Sequence, residues 1–252
     1  MNTFVYKQFY DKVGQRNGWD FSKLNVITEG ALWEFEQEVA ARCTKSDLLL
    51  DIGTGGGERL LSLADAALLL VGIDHSFPMI RAANANLEKA KKPNVRFLHM
   101  DAENLRFPSG FFQIAACRQS HFDAGQVANV LAQGGIFLTQ QVGERDKNNL
   151  TQAFGRGQHG GNGDGVLKDR YVSELAEAGF TDIRSFEYDA AEYYESFEDL
   201  VFLLKHTPII PDFGENDDDF DILHHFIEEH QTDKGIKTNS HRFMITAVLS
   251  SG

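Results

Sequence analysis

Short apolar segments alternate along this chain with longer segments in which apolar residues recur every three or four positions. The short segments predict strands and the longer ones amphipathic helices. Strands are expected within residues 48–52, 67–76, 94–105, 110–123, 136–142, 181–190 and 241–250. Helical patterns fill most of the intervals between them, and this alternation favours an α/β fold with a doubly wound parallel sheet and right-handed crossovers.

Three segments fall outside this alternation. Residues 4–13 and roughly 29–43 have helical spacing, and the polar turn between them carries aromatic side chains that either dock the first helix or cover a ligand site. Residues 143–165 contain six glycines from Gly155 onward, which predicts a mobile functional loop because such a segment is too long for a connector. Residues 191–240 predict a helical insertion packed over the carboxyl edge of the sheet.

The net charge and the cysteine content limit which binding partners and which cellular compartment we expect. Lys and Arg total 24 against 37 Asp and Glu, a net charge of −13, which argues against a nucleic-acid partner because that contact depends on phosphate neutralisation. The two cysteines, Cys43 and Cys117, have no metal-ligand spacing. No apolar run is long enough to span a bilayer, so we expect a soluble cytoplasmic protein.

The sequence LLLDIGTGGGE at 48–58 predicts a strand that is buried on both faces and runs into a glycine-rich turn. Such a turn allows a ligand to approach the backbone closely. A dinucleotide fingerprint requires a third glycine where Glu58 stands, a Walker lysine is absent, and Asp51 would repel a pyrophosphate. The expected ligand is therefore a nucleoside without phosphate that carries a positive charge.

Acidic residues end three successive predicted strands, at Asp51, Asp74 and Asp101. Any one of them could be a helix N-cap. N-capping explains all three poorly, whereas a single ligand at the carboxyl edge of a parallel sheet would meet all of them.

These motifs, over roughly residues 45–142, resemble the class I S-adenosylmethionine-dependent methyltransferases, because DIGTGGGE matches their D/E-x-G-x-G-x-G signature. The resemblance implies a Rossmann-like, seven-stranded, mainly parallel sheet with an antiparallel last strand, and S-adenosylmethionine as cofactor. It further implies that Asp51 interacts with the methionyl amine, directly or through water, that Asp74 holds the ribose hydroxyls, and that Asp101 lies near the adenine amino group. The remaining predicted cofactor residues are Gly53, Thr54, Gly55, Gly57, His75, Ser76, Met79, Ala102, Glu103 and Arg118.

The segments DAENLRFPSGFFQIAACRQSHF and LAQGGIFL are similar to small-molecule methyltransferases of ubiquinone and menaquinone biosynthesis. Arg106 and Gln113 depart from that subgroup, where proline and aspartate are usual. The N-P-P-Y tetrad typical of enzymes that methylate exocyclic amines of nucleic acids and glutamine amides is absent, and CRQSHFD occupies its place. One domain is expected, with a helical cap at 1–44, a cofactor-binding core at 45–142 and an acceptor-side half at 143–252.

Histidines raise two further possibilities. His121, just past the fourth strand, is either a proton acceptor in catalysis or a residue that orients its neighbours through hydrogen bonds, and His159 in the glycine loop is a weaker candidate. The cluster HHFIEEH at 224–230 lacks the HExxH pattern, so no metal site is predicted. The acceptor is expected to be a small molecule, with methylation of RNA or protein, or non-catalytic binding of the cofactor, as alternatives. The sequence does not set the oligomeric state.

Overall fold

The computed structural model describes residues 24–158, 161 and 163–251. The helix predicted at 4–13, the aromatic turn after it and His159 lie outside the described residues. All three predicted acids and all other predicted cofactor residues lie within them.

The described strands form one sheet in the order β4-β3-β2-β5-β6-β9-β7-β1, with β8 pairing to β9. Their bounds are β1 Val26–Glu29, β2 Leu48–Ile52, β3 Leu69–Asp74, β4 Val95–His99, β5 Phe112–Arg118, β6 Leu131–Val142, β7 Phe180–Tyr194, β8 Gln231–Thr232 and β9 Gly235–Leu249.

Strands β2 to β6 are parallel, and β9 is antiparallel to both β6 and β7. The predicted fold class and all seven predicted strands are therefore confirmed. Strands β1 and β8 were not predicted. β1 is a four-residue segment that is mostly exposed, so it carries no apolar alternation, and it joins the sheet only through pairing with the end of β7.

Eight helices lie in the described part of the chain. Their bounds are α1 Phe35–Ala40, α2 Glu58–Ser62, α3 Phe77–Ala90, α4 Ala124–Val130, α5 Asn148–Phe154, α6 Val166–Glu177, α7 Phe197–His206 and α8 Asp219–His230. No helix of the described residues has the length and apolar character needed to cross a membrane.

Two predicted boundaries were wrong. The helix expected at 29–43 is only Phe35–Ala40, because Glu29 pairs in β1 and Gly30 has a left-handed φ of +91° that interrupts a helix. The segment 143–165 is not all loop, since α5 lies inside it and buries Leu150 and Phe154. That i, i+4 pair is a helical signal, which the surrounding glycines and polar residues obscured.

Each face of the sheet carries its own apolar core. Leu49 lies in one core with α1 residues Phe35 and Val39, and Leu50 lies in the other with the α6 residue Leu175. Adjacent strand residues point to opposite faces, which explains why β2 has no polar alternation. We call the side of the sheet covered by α1 the α1 face.

The predicted helical insertion is present between β7 and β9. Strand β7 continues to Tyr194 and β9 begins at Gly235, so the insertion is shorter than the predicted 191–240. Helices α7 and α8 share a third apolar core with α5. Val142, the last residue of β6, pairs with Arg242 near the start of β9. The first part of β9, which follows the insertion, therefore lies at the edge of the sheet where the parallel strands end.

Candidate functional site

The glycine turn after β2 has a backbone that only glycine adopts easily. Gly53, Gly55 and Gly57 have φ of +77°, +55° and +76°, in the left-handed region that other residues avoid. A Cβ at Gly53 would lie 2.3 Å from Ser120 Cβ, and one at Gly57 would lie 2.3 Å from the Phe97 ring. The positions predicted from the signature are therefore those with left-handed geometry.

Asp74 joins the end of β3 to this turn. Its Oδ2 accepts a hydrogen bond from the Gly55 N–H at 3.0 Å, and its Oδ1 accepts one from the Ser76 N–H at 2.8 Å. Burial raises the pKa of the Asp74 carboxyl, and these two hydrogen bonds oppose the rise. Each oxygen keeps acceptor capacity, because a carboxylate oxygen can accept more than one hydrogen bond.

Asp51 ends β2 on the α1 face. Burial raises the pKa of its carboxyl to about 6. The nearby Thr54 hydroxyl opposes this rise, the Glu36 and Asp74 carboxylates add to it, and the Arg118 charge opposes it. A buried carboxylate held among other acids is stabilised by a cation. The site therefore favours a positively charged group beside Asp51.

Two buried polar atoms at this edge have no hydrogen-bond partner among the described residues. They are Thr54 Oγ1, in the turn, and Arg118 Nε, at the end of β5. The nearest acid to Arg118 Nε is Glu36 Oε1 at 3.7 Å, which is too long for a hydrogen bond. Buried polar groups are nearly always paired, so the unpaired Arg118 Nε on the same face as Asp51 fits a bound polar ligand.

The residues predicted for the adenosine lie at the ends of β3 and β4. Asp101 Oδ1 accepts a hydrogen bond from the Glu103 N–H at 3.0 Å, while its side chain remains exposed. Ala102 packs against the core of the α6 side. Met79 and Ser76 are buried, and His75 Nδ1 lies 3.8 Å from Asp74 Oδ1. The three strand ends thus converge on one edge.

His121 lies in the loop after β5, and its Nε2 is 3.4 Å from Glu103 Oε1. The side chains of His121 and Glu103 are 57% and 59% exposed, so this ion pair adds little to stability. The structure thus brings the predicted catalytic histidine beside a predicted cofactor residue. Cys117 is buried, and burial raises the pKa of its thiol, as expected for a core cysteine.

Sequence analysis missed several polar residues of the α1 face. Glu36 accepts a hydrogen bond from Arg59 Nη1 at 2.7 Å and lies between Arg59 and Arg118. The Trp33 indole N–H donates to Gln140 Oε1 at 2.7 Å, and its ring lies 4.5 Å from that of Tyr188. These partners are far apart in the chain, so no local pattern could identify them.

A buried ionic network lies between the sheet and the insertion. Lys147 Nζ donates to Glu192 Oε2 at 2.7 Å, and the Tyr194 hydroxyl donates to the same oxygen at 2.6 Å. Lys147 Nζ also lies 3.7 Å from Asp146, which accepts a hydrogen bond from Arg242. This network anchors the ends of β6, β7 and β9 to one another.

One group of potential metal ligands is already occupied by a side-chain cation. Ligand atoms of Asp164, Glu187 and His241 lie within 4.8 Å of one another. The Arg145 guanidinium lies 3.2 Å from Asp164 and 3.1 Å from Glu187, so its charge replaces that of a metal ion. In the cluster 224–230, His225 pairs with exposed Glu228 and Glu229 and His224 stacks on Phe197, which is the solvated and packing role expected for it.

Comparison with known families matches residues 49–135 to the model of a methyltransferase domain. The match begins in β2 and includes the glycine turn, Asp74 and Asp101. This match supports a class I S-adenosylmethionine-dependent methyltransferase domain in that segment. The family predicted from the signature is therefore confirmed, whereas the ubiquinone and menaquinone subgroup stays a prediction.

The relatives of this methyltransferase domain agree with that assignment. An uncharacterised methyltransferase of Bacillus subtilis, YcgJ, is 34% identical over 105 residues, which are 39% of this chain and 42% of that protein. The chain thus matches less than half the length of this relative. The crystal structure of YcgJ superposes with a TM-score of 0.63 at 19% identity, over 86% of this chain and 97% of that one.

Two further structures share the fold over the whole chain. The [4+2]-cyclase SpnF has a TM-score of 0.59 at 17% identity, with coverage of 99% and 96% of the two chains. Phosphoethanolamine N-methyltransferase 2 of Haemonchus contortus, solved in complex with S-adenosyl-L-methionine, has a TM-score of 0.55 at 18% identity and covers 99% of this chain and 58% of its own. At these identities the likeness establishes the fold alone.

Proposed function

We propose that this protein transfers the methyl group of S-adenosylmethionine to an O, N or C atom of a small-molecule acceptor. The observation that carries the proposal is the meeting of Asp51, Asp74 and the left-handed glycine turn at one edge of the sheet. The cofactor supplies a methyl carbon activated by its sulfonium, which a nucleophile displaces in line. The protein must then align the acceptor and exclude water.

The residues present fit such a cofactor. Asp51 has the charge to pair with the methionyl amine, and Arg118, whose charge lowers the pKa of Asp51, has the charge to pair with the methionyl carboxylate. The lone pairs of Asp74 that its two backbone donors leave free would accept the ribose hydroxyl protons. Gly53, Thr54, Gly55 and Gly57 would line the methionyl part, and His75, Ser76, Met79, Asp101, Ala102 and Glu103 the adenosine.

His121 is the proposed proton acceptor for a protic acceptor molecule. Its contact with Glu103 would orient the imidazole toward an acceptor, as general-base catalysis requires. An acceptor that reaches the site as an anion would not need it. Substitution of His121 by Asn should then lower turnover of a protic acceptor without changing cofactor affinity.

The remainder of the chain is proposed to form the acceptor side. We propose that the segment 1–44, the glycine-rich segment 143–165 and the helical insertion bind the acceptor, and that the core at 45–142 binds the cofactor. The net charge of −13 supports a small-molecule acceptor over RNA in a cytoplasmic protein.

Calorimetric titration with S-adenosylmethionine tests the cofactor assignment. Asp74→Asn removes one charge and should weaken binding about 10- to 100-fold, since hydrogen bonds to charged groups are worth roughly 1.5–3 kcal/mol. The control is Asp65→Asn, an exposed acid whose side-chain partner is Lys92. Absence of binding by the wild type, or equal affinities for both variants, would contradict the assignment.

Labelled cofactor distinguishes the proposed function from two alternatives, methylation of RNA or protein and non-catalytic cofactor binding. An RNA or protein methyltransferase would label a macromolecular fraction when isotopically labelled cofactor is supplied, and RNA binding would weaken with salt. A cofactor-binding regulator would bind but label nothing. Because the structural neighbour SpnF is described as a cyclase, the fold alone does not guarantee methyl transfer, and the labelled product must be identified by mass spectrometry.

A further inference from the structure

A row of polar side chains crosses the α1 face at the carboxyl edge. Register places Asp51 opposite Ala116, Arg118 opposite Gln140, and Arg242 opposite Tyr188. Strand neighbours in register share a face, and alternation puts each of these side chains on the face that contains Met244 and Ala116 of the α1 core. The row therefore runs across β2, β5, β6, β9 and β7 in spatial order.

The proposed cofactor residues occupy only one end of this row. Arg242 is two strands away from Arg118, roughly 10 Å at the usual strand spacing, and the charge of Arg242 lowers the pKa of Arg118. A carboxylate bound by Arg118 would therefore not reach Arg242, which pairs with Asp146 through Nη1.

The Arg242 guanidinium is fixed along one edge and free along the other. Its Nη1 donates to Asp146 Oδ1 and to the His241 carbonyl. Among the described residues, neither Nε nor Nη2 has a hydrogen-bond acceptor. The side chain is only 13% exposed, yet Nε and Nη2 are not among the fully buried unpaired atoms of the described residues, so a ligand at the surface of the α1 face could reach them. A guanidinium edge with two free N–H groups matches the geometry of a carboxylate.

Aromatic rings border the same region. Tyr188 lies opposite Arg242 in register, and Trp33 packs on Tyr188 while its N–H is taken by Gln140. Both rings are half-buried. They offer an apolar wall next to the free guanidinium edge, which suits a planar or apolar body attached to an anionic group.

We infer that Arg242, flanked by Tyr188 and Trp33, binds an anionic group of the acceptor, so that the substrates of this protein are small acids with an apolar body. This inference rests on the proposed function, because only a methyltransferase would use this site to bind a methyl acceptor. The net charge of −13 would repel such acids at long range, so their recognition requires this local cation.

Benzoate and its neutral isostere benzamide are suitable probes. The chain has two tryptophans, so a Trp19→Phe background leaves Trp33 as the sole indole reporter beside the site. With saturating S-adenosylhomocysteine present, benzoate should quench Trp33 fluorescence with an affinity at least tenfold above that of benzamide. Equal responses, or no response to benzoate, would overturn the inference.

The Arg242→Lys variant tests whether Arg242 binds an anion in addition to its structural ion pair with Asp146. Lysine keeps the charge that pairs with buried Asp146 but lacks the free guanidinium edge, so the variant should fold and yet lose most of the preference for benzoate. Arg118→Gln is the reciprocal variant and should weaken S-adenosylmethionine binding while leaving that preference intact. Unchanged benzoate affinity in Arg242→Lys would refute the inference, whereas failure of the wild type to bind S-adenosylmethionine would instead refute the proposed function.

Discussion

Substitution of Gly57 by alanine tests whether the glycine turn is required by its geometry. Gly57 precedes α2 with φ of +76°, and a Cβ there would lie 2.3 Å from Phe97 Cζ and 2.7 Å from Cε1. Phe97 is itself buried in the α1 core, so its ring cannot move away without displacing other core side chains. Both the backbone and the packing therefore oppose the alanine.

The expected loss of stability is the sum of two effects. A non-glycine residue in the left-handed region costs about 1–2 kcal/mol, and overpacking a core costs about 1–3 kcal/mol. Gly57→Ala should thus lower the free energy of unfolding by about 2–5 kcal/mol. Total stability of a domain is about 5–15 kcal/mol, so the variant should remain folded but unfold at clearly lower urea concentration.

Gly56→Ala is the matched control. Gly56 is not among the glycines with positive φ. The three atoms nearest to its added Cβ all belong to the Glu58 carboxylate group, the end of a flexible and exposed side chain. That variant should lose less than about 1 kcal/mol. Both are measured by urea denaturation followed by circular dichroism. Equal midpoints for the two variants would refute the argument that left-handed geometry and Phe97 select glycine at position 57.

Two other buried charges give measurable predictions. Because burial raises the pKa of Asp51 from 3.8 to about 6, its contribution to stability is complete below pH 3.8 and is lost as pH rises through 6, by about 1–3 kcal/mol. Asp51→Asn should therefore be more stable than the wild type toward urea at pH 7.5. Calorimetry should show that the same variant binds S-adenosylmethionine far more weakly. A variant less stable than the wild type at that pH would contradict the predicted direction of the stability change. Lys147→Met leaves Glu192 buried without its cation and should lower the free energy of unfolding by about 3–5 kcal/mol. Replacing Glu192 by leucine in the same chain should restore most of that loss, and a double variant as unstable as Lys147→Met would rule out the unpaired charge as the cause.

The confirmed strands are those whose sequence pattern is strong by itself. Strands β2, β3 and β5 are nearly continuous apolar segments because both faces of the sheet are covered, and the signature glycines mark the turn because three of them need left-handed backbone. Strand β1 and helix α5 were missed for the opposite reason. Their residues gain stability from partners more than forty positions away, and a short window of sequence does not contain those partners.

The sequence by itself determined the α/β class, the order of the core elements and the convergence of Asp51, Asp74 and Asp101, because periodicity, turn chemistry and strand direction are local properties that parallel topology brings to one edge. Only the tertiary structure decided the environment of those acids and the extent of the site. Burial and the Glu36 carboxylate set the pKa of Asp51, and strand register placed Arg118, Arg242 and Tyr188 on one face. Such environments depend on pairings between distant segments, and these are fixed when the whole sheet assembles.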